Sequence, residues 1–438
     1  MADKGGYSGP SLQLIEGAGV SVGDLVELDL GGEKVTGSVV PRYQYDDDSH
    51  IVVKLKSGYN VGIRISRVKS IKRIATGEKP AFASTPPRPR QDLPEVAILG
   101  TGGTIASRVD YRTGAVHPAI SSEDLYSLMP ELSDIARIKP EIVLTVYSEN
   151  LEPADWQKIA DKAVEAIEKG ARGVVVTTGT DTMGYTAAAL SFALQGVPVP
   201  VIVVGSQRSS DRPSSDAYLN LIGAVSIAVS ADVSGVYVAM HSDMSDDRVS
   251  VHRASRVRKN HTSSRDAFQS VGVDPIAFWT RNGLESLSKD VPKRRTGSFA
   301  SKTRFESAVG LVKFYPSMST SFVESALTGL RGVVIEGSGL GHINRKNISV
   351  VQEFVKRGGV ACMTSQCIWG RVDMDVYDTG RDLLQAGVIP LEDMLAETAL
   401  VKLMWALANS GSPDDARRTM TADLVGETTK RTLSSRST

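Results

Sequence analysis

From Gly23 to Ile74 apolar and polar positions alternate, with Val26, Leu28 and Leu30 in one run, Ile51, Val53 and Leu55 in the next, and Val61, Ile63 and Ile65 in a third. A period of two is the signature of half-buried strands, and polar turns at Gly31-Gly32, Asp46-Asp47-Asp48 and Ser57-Gly58 separate the runs. The pattern predicts a small all-β barrel domain over residues 19–75, behind a Gly- and Ser-rich stretch, 1–18, expected to be a disordered tail. A β domain of this size is marginal alone, so it is expected to lean on the main body or on a partner. Lys54, Lys56, Arg64, Arg67, Lys69, Lys72 and Arg73 bias its second half to positive charge, which a solvated strand face explains. Pro80, Pro86, Pro87, Pro89 and Pro94 then make residues 76–94 an extended, stiff linker.

Beyond the linker the pattern changes to short apolar runs alternating with helical periods. Val96 to Leu99 reads as a buried strand that runs into Gly100-Thr101-Gly102-Gly103-Thr104, and Ser107 to His117 is a polar stretch suited to a loop over a site. A second strand is expected at 142–147, with Ser148-Glu149-Asn150 at its exit. Trp156, Ile159, Ala160, Ala163 and Ile167 share a helical face, with Glu152 and Asp155 ahead of it and Gly170 behind. Gly173 to Val176 is a third strand, opening into Thr177-Thr178-Gly179-Thr180-Asp181-Thr182. A helix at 183–194, a strand at 199–204 leaving through Gly205-Ser206-Gln207-Arg208, a helix at 217–230 and a strand at 236–240 continue the alternation. Such repetition implies parallel sheets joined by right-handed crossovers.

The polar region 242–270 fits neither period; it holds Arg253, Arg256, Arg258 and Lys259. From 305 the alternation resumes, with strands at 309–314, 332–335 and 359–363, helices at 322–328 and 349–356, and a closing amphipathic helix at 391–407. The tail after Ser410 is polar and expected to be poorly ordered. The reading is therefore α/β: a large domain at 95–304 and a smaller one at 305–438, both with mainly parallel sheets, preceded by the small barrel.

Composition narrows the functional classes. The 438 residues carry 50 Lys+Arg against 50 Asp+Glu, so no global field draws the chain to nucleic acid or to a membrane surface. No apolar run approaches the ~20 residues of a membrane span and no signal peptide opens the chain, which reads as cytoplasmic. Cys362 and Cys367 are the only cysteines, too few for a disulfide framework or a structural zinc site, and are expected to be buried thiols. None of the six histidines has metal-ligand spacing, so metal: none is the expectation.

Chemistry is offered by hydroxyls at strand ends, where parallel sheets bind ligands. A threonine hydroxyl is a weak nucleophile until a base takes its proton, and a lysine can serve when cationic neighbours lower its pKa. Lys259, closely preceded in sequence by Arg256 and Arg258, is a candidate base; Asp181 would orient it, and glycine-turn amides would face the oxyanion of an acyl-transfer intermediate. For the first glycine turn an incidental loop with threonines is an equal reading. Phosphate binding is the rival for both turns, but neither carries a Walker lysine or a dinucleotide fingerprint.

Thr101-Gly102-Gly103-Thr104-Ile105-Ala106, Thr178-Gly179-Thr180-Asp181-Thr182-Met183 and Lys259-Asn260-His261-Thr262-Ser263 resemble, in order, the three signature segments of bacterial-type L-asparaginases. The resemblance spans roughly Val96 to Leu407. It implies the asparaginase-like fold of two α/β domains, a threonine nucleophile and an acyl-enzyme that releases ammonia from a side-chain amide. By motif Thr104 is the nucleophile, and Thr180, Asp181 and Lys259 are the second hydroxyl and its activating pair. Tyr111 matches the tyrosine of the family's lid, and Ser148 its substrate-holding serine. Glu149 departs from the glutamine common there, and Gly339-Leu340-Gly341-His342 departs from Gly-Asn-Gly-Asn, where a neighbouring subunit completes the family's site.

The added β domain and linker make the whole chain similar to the asparaginase-like D subunits of archaeal glutamyl-tRNA(Gln) amidotransferases. That resemblance implies an ammonia-supplying subunit, homodimeric within a two-plus-two heterotetramer. An E subunit would bind the tRNA and use ATP and magnesium; this chain would need no cofactor and would take glutamine or asparagine as amide donor. A stand-alone L-asparaginase or glutaminase of amino-acid catabolism is the alternative, and a catalytically silent scaffold is a third reading.

Overall fold

The computed structural model describes residues 6–42, 47–56, 60–76, 90–102, 107–109, 116–118, 125–126, 129–208, 214–285 and 288–431. Thr104, Tyr111, linker residues 77–89 and the last residues, 432–438, lie outside the described residues.

The alternating runs near the N-terminus form β1 (Leu25–Asp29), β2 (Lys34–Val39), β3 (His50–Lys54), β4 (Asn60–Arg64) and β5 (Ser70–Ala75), one sheet in the order β4-β3-β2-β1-β5. All its pairings are antiparallel. Val26, Leu28, Val39, Ile51, Val53 and Ile63 form its core. The expected disordered tail is instead ordered from Gly6 onward. Helix α1 (Gly9–Gly17) lays Ile15 on the core, and the buried Tyr7 hydroxyl donates to the Val40 carbonyl (2.8 Å) and accepts from the Val52 N–H (3.1 Å). Glycine and serine content reads as loop, but two anchored apolar side chains decide the matter.

This small domain rests on the chain's own body. The Ser214 N–H donates to the Asn60 carbonyl at 2.6 Å. Burial pushes the Lys54 ammonium below its ordinary pKa, with the Glu131 carboxylate opposing the shift. Lys54 thus faces the body rather than joining a fully solvated face.

The large sheet begins with β6 (Glu95–Gly100), followed by two short strands, β7 (Ser107–Val109) and β8 (Val116–Pro118), that pair with each other. After the short helix α2 (Leu132–Ile135) come β9 (Arg137–Ile142), α3 (Pro153–Glu168), β10 (Gly173–Thr177), α4 (Met183–Ala193), β11 (Pro200–Val204), α5 (Ala217–Ser230) and β12 (Gly235–His241). The five long strands are parallel in the order β9-β6-β10-β11-β12. Helices cover both faces, so Val96 to Leu99, Val174 to Val176 and Val201 to Val204 are buried on both sides, and their sequences are continuously apolar.

The strand expected at 142–147 lies instead at Arg137–Ile142, because β9 is an edge strand whose one partner, β6, ends at Gly100. The Val143 and Leu144 N–H groups both turn onto the Gly100 carbonyl (2.8 and 3.1 Å), and the chain leaves the ladder there. The region without periodicity holds β13 (Arg248–Arg253) and a hairpin of β14 (Val257–Lys259) and β15 (Phe268–Ser270); β16 (Ala277–Thr280) and β17 (Gly283–Glu285) follow it. Strands β13, β16 and β17 extend the large sheet in antiparallel fashion beyond β12.

The second lobe is a parallel sheet β18-β19-β20-β21, made of β18 (Val309–Lys313), β19 (Gly332–Gly337), β20 (Val360–Ser365) and β21 (Ile389–Pro390). Helices α6 (Thr320–Leu327), α7 (Ile348–Lys356) and α8 (Asp378–Gln385) connect them, and α9 (Ala396–Asn409) and α10 (Pro413–Thr421) follow. Helix α9, expected at 391–407 as an amphipathic helix closing the smaller lobe, spans Ala396–Asn409 and is buried along nearly its whole length. It packs against α4 of the large lobe as well as β18 and β19, with Phe192 and Trp405 ring centroids 6.0 Å apart, so one continuous core joins the lobes.

The C-terminal segment is ordered to Arg431, contrary to its polar composition. Its polar groups satisfy buried charges: the Glu427 carboxylate pairs with the Lys402 ammonium at 2.6 Å with both side chains fully buried, and the Glu427 carbonyl accepts from Arg256 at 3.0 Å. Cys362 is buried as expected, whereas Cys367 is exposed.

His252 lies fully inside this architecture on β13, its Nδ1 2.8 Å from the Ser270 hydroxyl and its Nε2 without a partner among the described residues. Burial pushes its imidazole down to about 4. An unfolded chain protonates this ring near pH ~6.5, so the folded state binds fewer protons as pH falls between those values and loses stability there. At ~1.36 kcal/mol per pH unit the loss approaches about 3 kcal/mol. Denaturant midpoints at pH 7 and pH 4.5 should therefore converge in His252→Asn relative to the wild type; an equal pH dependence in both chains would rule this out.

Candidate active site

The site lies where parallel strands leave the sheet. Thr101, next after β6, is buried, and both its N–H and its hydroxyl donate to the Thr177 carbonyl at 3.0 Å. It therefore fastens β6 to β10. Gly102 follows with φ +106°, and its backbone runs so close to Val146 that a Cβ would sit 2.1 Å from that residue's carbonyl oxygen. Only glycine allows both the conformation and the approach.

Beyond β10, Thr178 remains buried, its N–H donating to the Val204 carbonyl at 3.0 Å, and Thr180 and Asp181 occupy the turn before α4. The β14–β15 hairpin crosses to meet this turn. Lys259 Nζ, at the end of β14, donates to Thr180 Oγ1 at 2.9 Å and to Asp181 Oδ1 at 2.7 Å. Residues 78 and 79 positions apart are thus joined in one hydroxyl–ammonium–carboxylate array. The Lys259 side chain is 13% exposed and that of Asp181 72%, so the lysine is sheltered while its carboxylate partner faces solvent.

Ser148 is buried in a short 3-10 turn, and its carbonyl accepts from the Thr182 hydroxyl at 2.7 Å. A Cβ on Gly179 would lie 2.8 Å from both Ser148 Cβ and Oγ, which brings Ser148 against the turn that holds Thr180 and Asp181. Glu149, beside it, is exposed. Of the residues expected at the site, Thr180, Asp181, Lys259 and Ser148 converge.

The expected cationic neighbourhood of Lys259 is not formed. Arg256 is buried and turned away, pairing with Asp393 at 3.0 Å and donating to the Val271, Asp393 and Glu427 carbonyls. Arg258 points to Glu397 at 2.6 Å. Adjacency in sequence misled here because Arg256 lies in the 3-10 turn before β14, and Arg258, next to Lys259 in that strand, faces the opposite way.

One constellation escaped sequence reasoning. Asp216, Asn220 and His241 are fully buried behind the exits of β11 and β12 and bonded to one another. Asp216 and Asn220 lie four apart, which places them on one face of α5, but nothing local marks His241 as their partner. Among the described residues no group of His, Cys, Asp or Glu is arranged to hold a metal ion, and no helix is long and apolar enough to cross a membrane.

Comparison with known proteins agrees with this architecture. The family described as "Asparaginase, N-terminal" matches residues 95–292, the "Glutaminase/Asparaginase C-terminal domain" 308–420, and the "GatD N-terminal domain" 20–74. Among solved structures, the thermostable L-asparaginase of Thermococcus kodakarensis superposes with a TM-score of 0.68 at 32% identity, covering 76% of this chain and 99% of that one. L-asparaginase I of Vibrio cholerae gives 0.67 at 29% identity, over 77% and 99%. The fold is thus that of the asparaginases, with a further N-terminal domain. The D subunit of the glutamyl-tRNA(Gln) amidotransferase of Pyrococcus furiosus is 46% identical over 95% of this chain and 97% of its own length, and that of Sulfurisphaera tokodaii 43% over 96% and 95%. The chain belongs to this family of amidotransferase D subunits.

Proposed function

We propose that the chain supplies ammonia, as a glutaminase-like subunit, to an amidotransferase that converts glutamyl-tRNA(Gln) to glutaminyl-tRNA(Gln). The observation that carries this reading is the contact of Lys259 with Thr180 and Asp181 in a chain whose relatives bear the same name over nearly their full length. Thr104 is assigned as the nucleophile by motif. In this reading a threonine oxygen adds to the side-chain amide carbon. Its proton passes to the Thr180–Lys259 pair and then to the leaving nitrogen, so that ammonia departs from an acyl-enzyme. Water takes the place of ammonia in the second half and frees the acid and the hydroxyl. Ser148 holds the substrate, and Tyr111 belongs to the lid.

The released ammonia goes to an E subunit, which carries the tRNA and spends ATP with magnesium to activate the glutamyl carboxyl; this chain needs no cofactor of its own. A homodimer of this chain within a two-plus-two heterotetramer is the assembly we assign. The likeness to free L-asparaginases favours a second reading, hydrolysis for amino-acid catabolism. Ammonia release from glutamine and from asparagine, by the chain alone and with E subunit and glutamyl-tRNA(Gln), separates the two. Weak hydrolysis that rises strongly with the loaded partner is the expected result. Fast asparagine hydrolysis indifferent to the partner would overturn it.

A further inference from the structure

We infer that Asp216, Asn220, His241, Asp246 and Arg265 form one brace that sets the distance between Thr180 and Lys259. The inference rests on the reading of those two residues as the catalytic pair. At one end, Asn220 Nδ2 donates to the Gly205 carbonyl (3.0 Å) and to Asp216 Oδ2 (3.0 Å). The two Asp216 carboxylate oxygens accept the Gln207 and Arg208 N–H groups, each at 2.9 Å, which fixes the exit of β11. That exit lies directly against the catalytic turn: a Cβ on Gly205 would stand 2.7 Å from the Thr178 carbonyl oxygen and 3.0 Å from Thr180 Cγ2.

With its amide nitrogen committed, Asn220 turns Oδ1 to His241 Nδ1 at 2.6 Å, so the ring N–H donates there. The other ring nitrogen stands 3.3 Å from Asp246 Oδ1 and donates to it when the ring carries both protons, and Arg265 Nη1 meets the same oxygen at 2.5 Å. A second Arg265 nitrogen donates to the Met244 carbonyl. Arg265 sits in the turn of the β14–β15 hairpin, whose base is closed by the Asn260 N–H on the Ala267 carbonyl (2.7 Å), one residue beyond Lys259. The brace therefore grips the Thr180 turn through Gly205 and the Lys259 hairpin through Arg265. Three of its members are fully buried polar side chains that the hydrolytic reading leaves without a task.

A positioning role makes a specific kinetic prediction, because a reacting pair displaced by about 1 Å can lose about 100-fold in rate while substrate still binds. Arg265→Met and His241→Phe should each lower kcat for glutamine about 10- to 100-fold with KM changed less than about threefold, and Arg265→Lys should recover most of the rate. Links of one brace fail together, so the double variant should be no slower than the worse single variant, within about threefold. Should His241→Phe fail to fold, Asp246→Asn and Arg265→Met, at the solvent end, carry the same comparison. Unchanged kcat, or losses that multiply, would overturn the brace. Lys259→Met, measured alongside, separates the two failures. If it stays active the catalytic reading is wrong; if it is inactive while the brace variants keep wild-type kcat, only the brace is wrong.

Discussion

Lys259→Met is expected to lower kcat/KM for glutamine hydrolysis by about 10²–10⁴-fold, the range associated with loss of a positioned acid–base group. Methionine keeps the length and the apolar stem but removes the nitrogen that touches both Thr180 Oγ1 and Asp181 Oδ1. The fold should tolerate the change. Asp181 is largely solvated, so the ion pair is worth at most about 1 kcal/mol and its carboxylate is not stranded in the interior. A normal unfolding midpoint with a collapsed rate is therefore the outcome to look for. Thr180→Val should act in the same direction, and Asp181→Asn less strongly, since it leaves the Lys259–Thr180 contact in place. Retention of full activity by Lys259→Met would move the base elsewhere.

Glu427→Gln should be the most damaging single change to stability, costing about 3–5 kcal/mol, because it leaves the Lys402 ammonium buried without its counter-charge. The Lys402–Glu427 pair is fully enclosed, and the carboxylate also accepts the Leu424 (3.0 Å) and Val425 (2.7 Å) N–H groups. Burial alone would raise the Glu427 carboxyl pKa, but the Lys402 ammonium, the Val425 N–H and the hydrogen bond with the Asp423 carboxyl bring it below its ordinary value. The sign follows: the contribution is present above pH ~4.3 and is lost as pH falls through the lower folded value. Replacing both partners, as Lys402→Met with Glu427→Leu, removes the stranded charge and should recover a large part of the loss. Chemical denaturation of the three chains at pH 7 tests this; equal midpoints for Glu427→Gln and wild type would show that the pair carries no weight.

Sequence and structure agree where burial sets the pattern. The continuously apolar strands β6, β10 and β11, the face of α3 with Trp156 and Ile159, and the alternating strands of the N-terminal domain were all legible because each writes its own period into the chain. The grouping of Lys259 with Thr180 and Asp181 was implied by the resemblance to asparaginases, while the residues by themselves did not show that they meet. What stayed hidden was order produced by polar pairing at long sequence range: the C-terminal segment held by Lys402 and Arg256, and the chain from Asn220 through His241 to Arg265. Hydropathy records a buried glutamate or histidine as a surface residue, and nothing near Glu427 in sequence announces its partner. Arg256 and Arg258 failed for the opposite reason, since their neighbours in sequence are not their neighbours in space.

Helix α9 carries a consequence for motion. Its buried side chains belong to the same core as α4 on one side and β18 and β19 on the other. Spreading the two lobes apart would expose Leu403, Trp405 and Leu407 to water, at about 1.5–3 kcal/mol for each large apolar side chain. The lobes are therefore not the two jaws of a hinge.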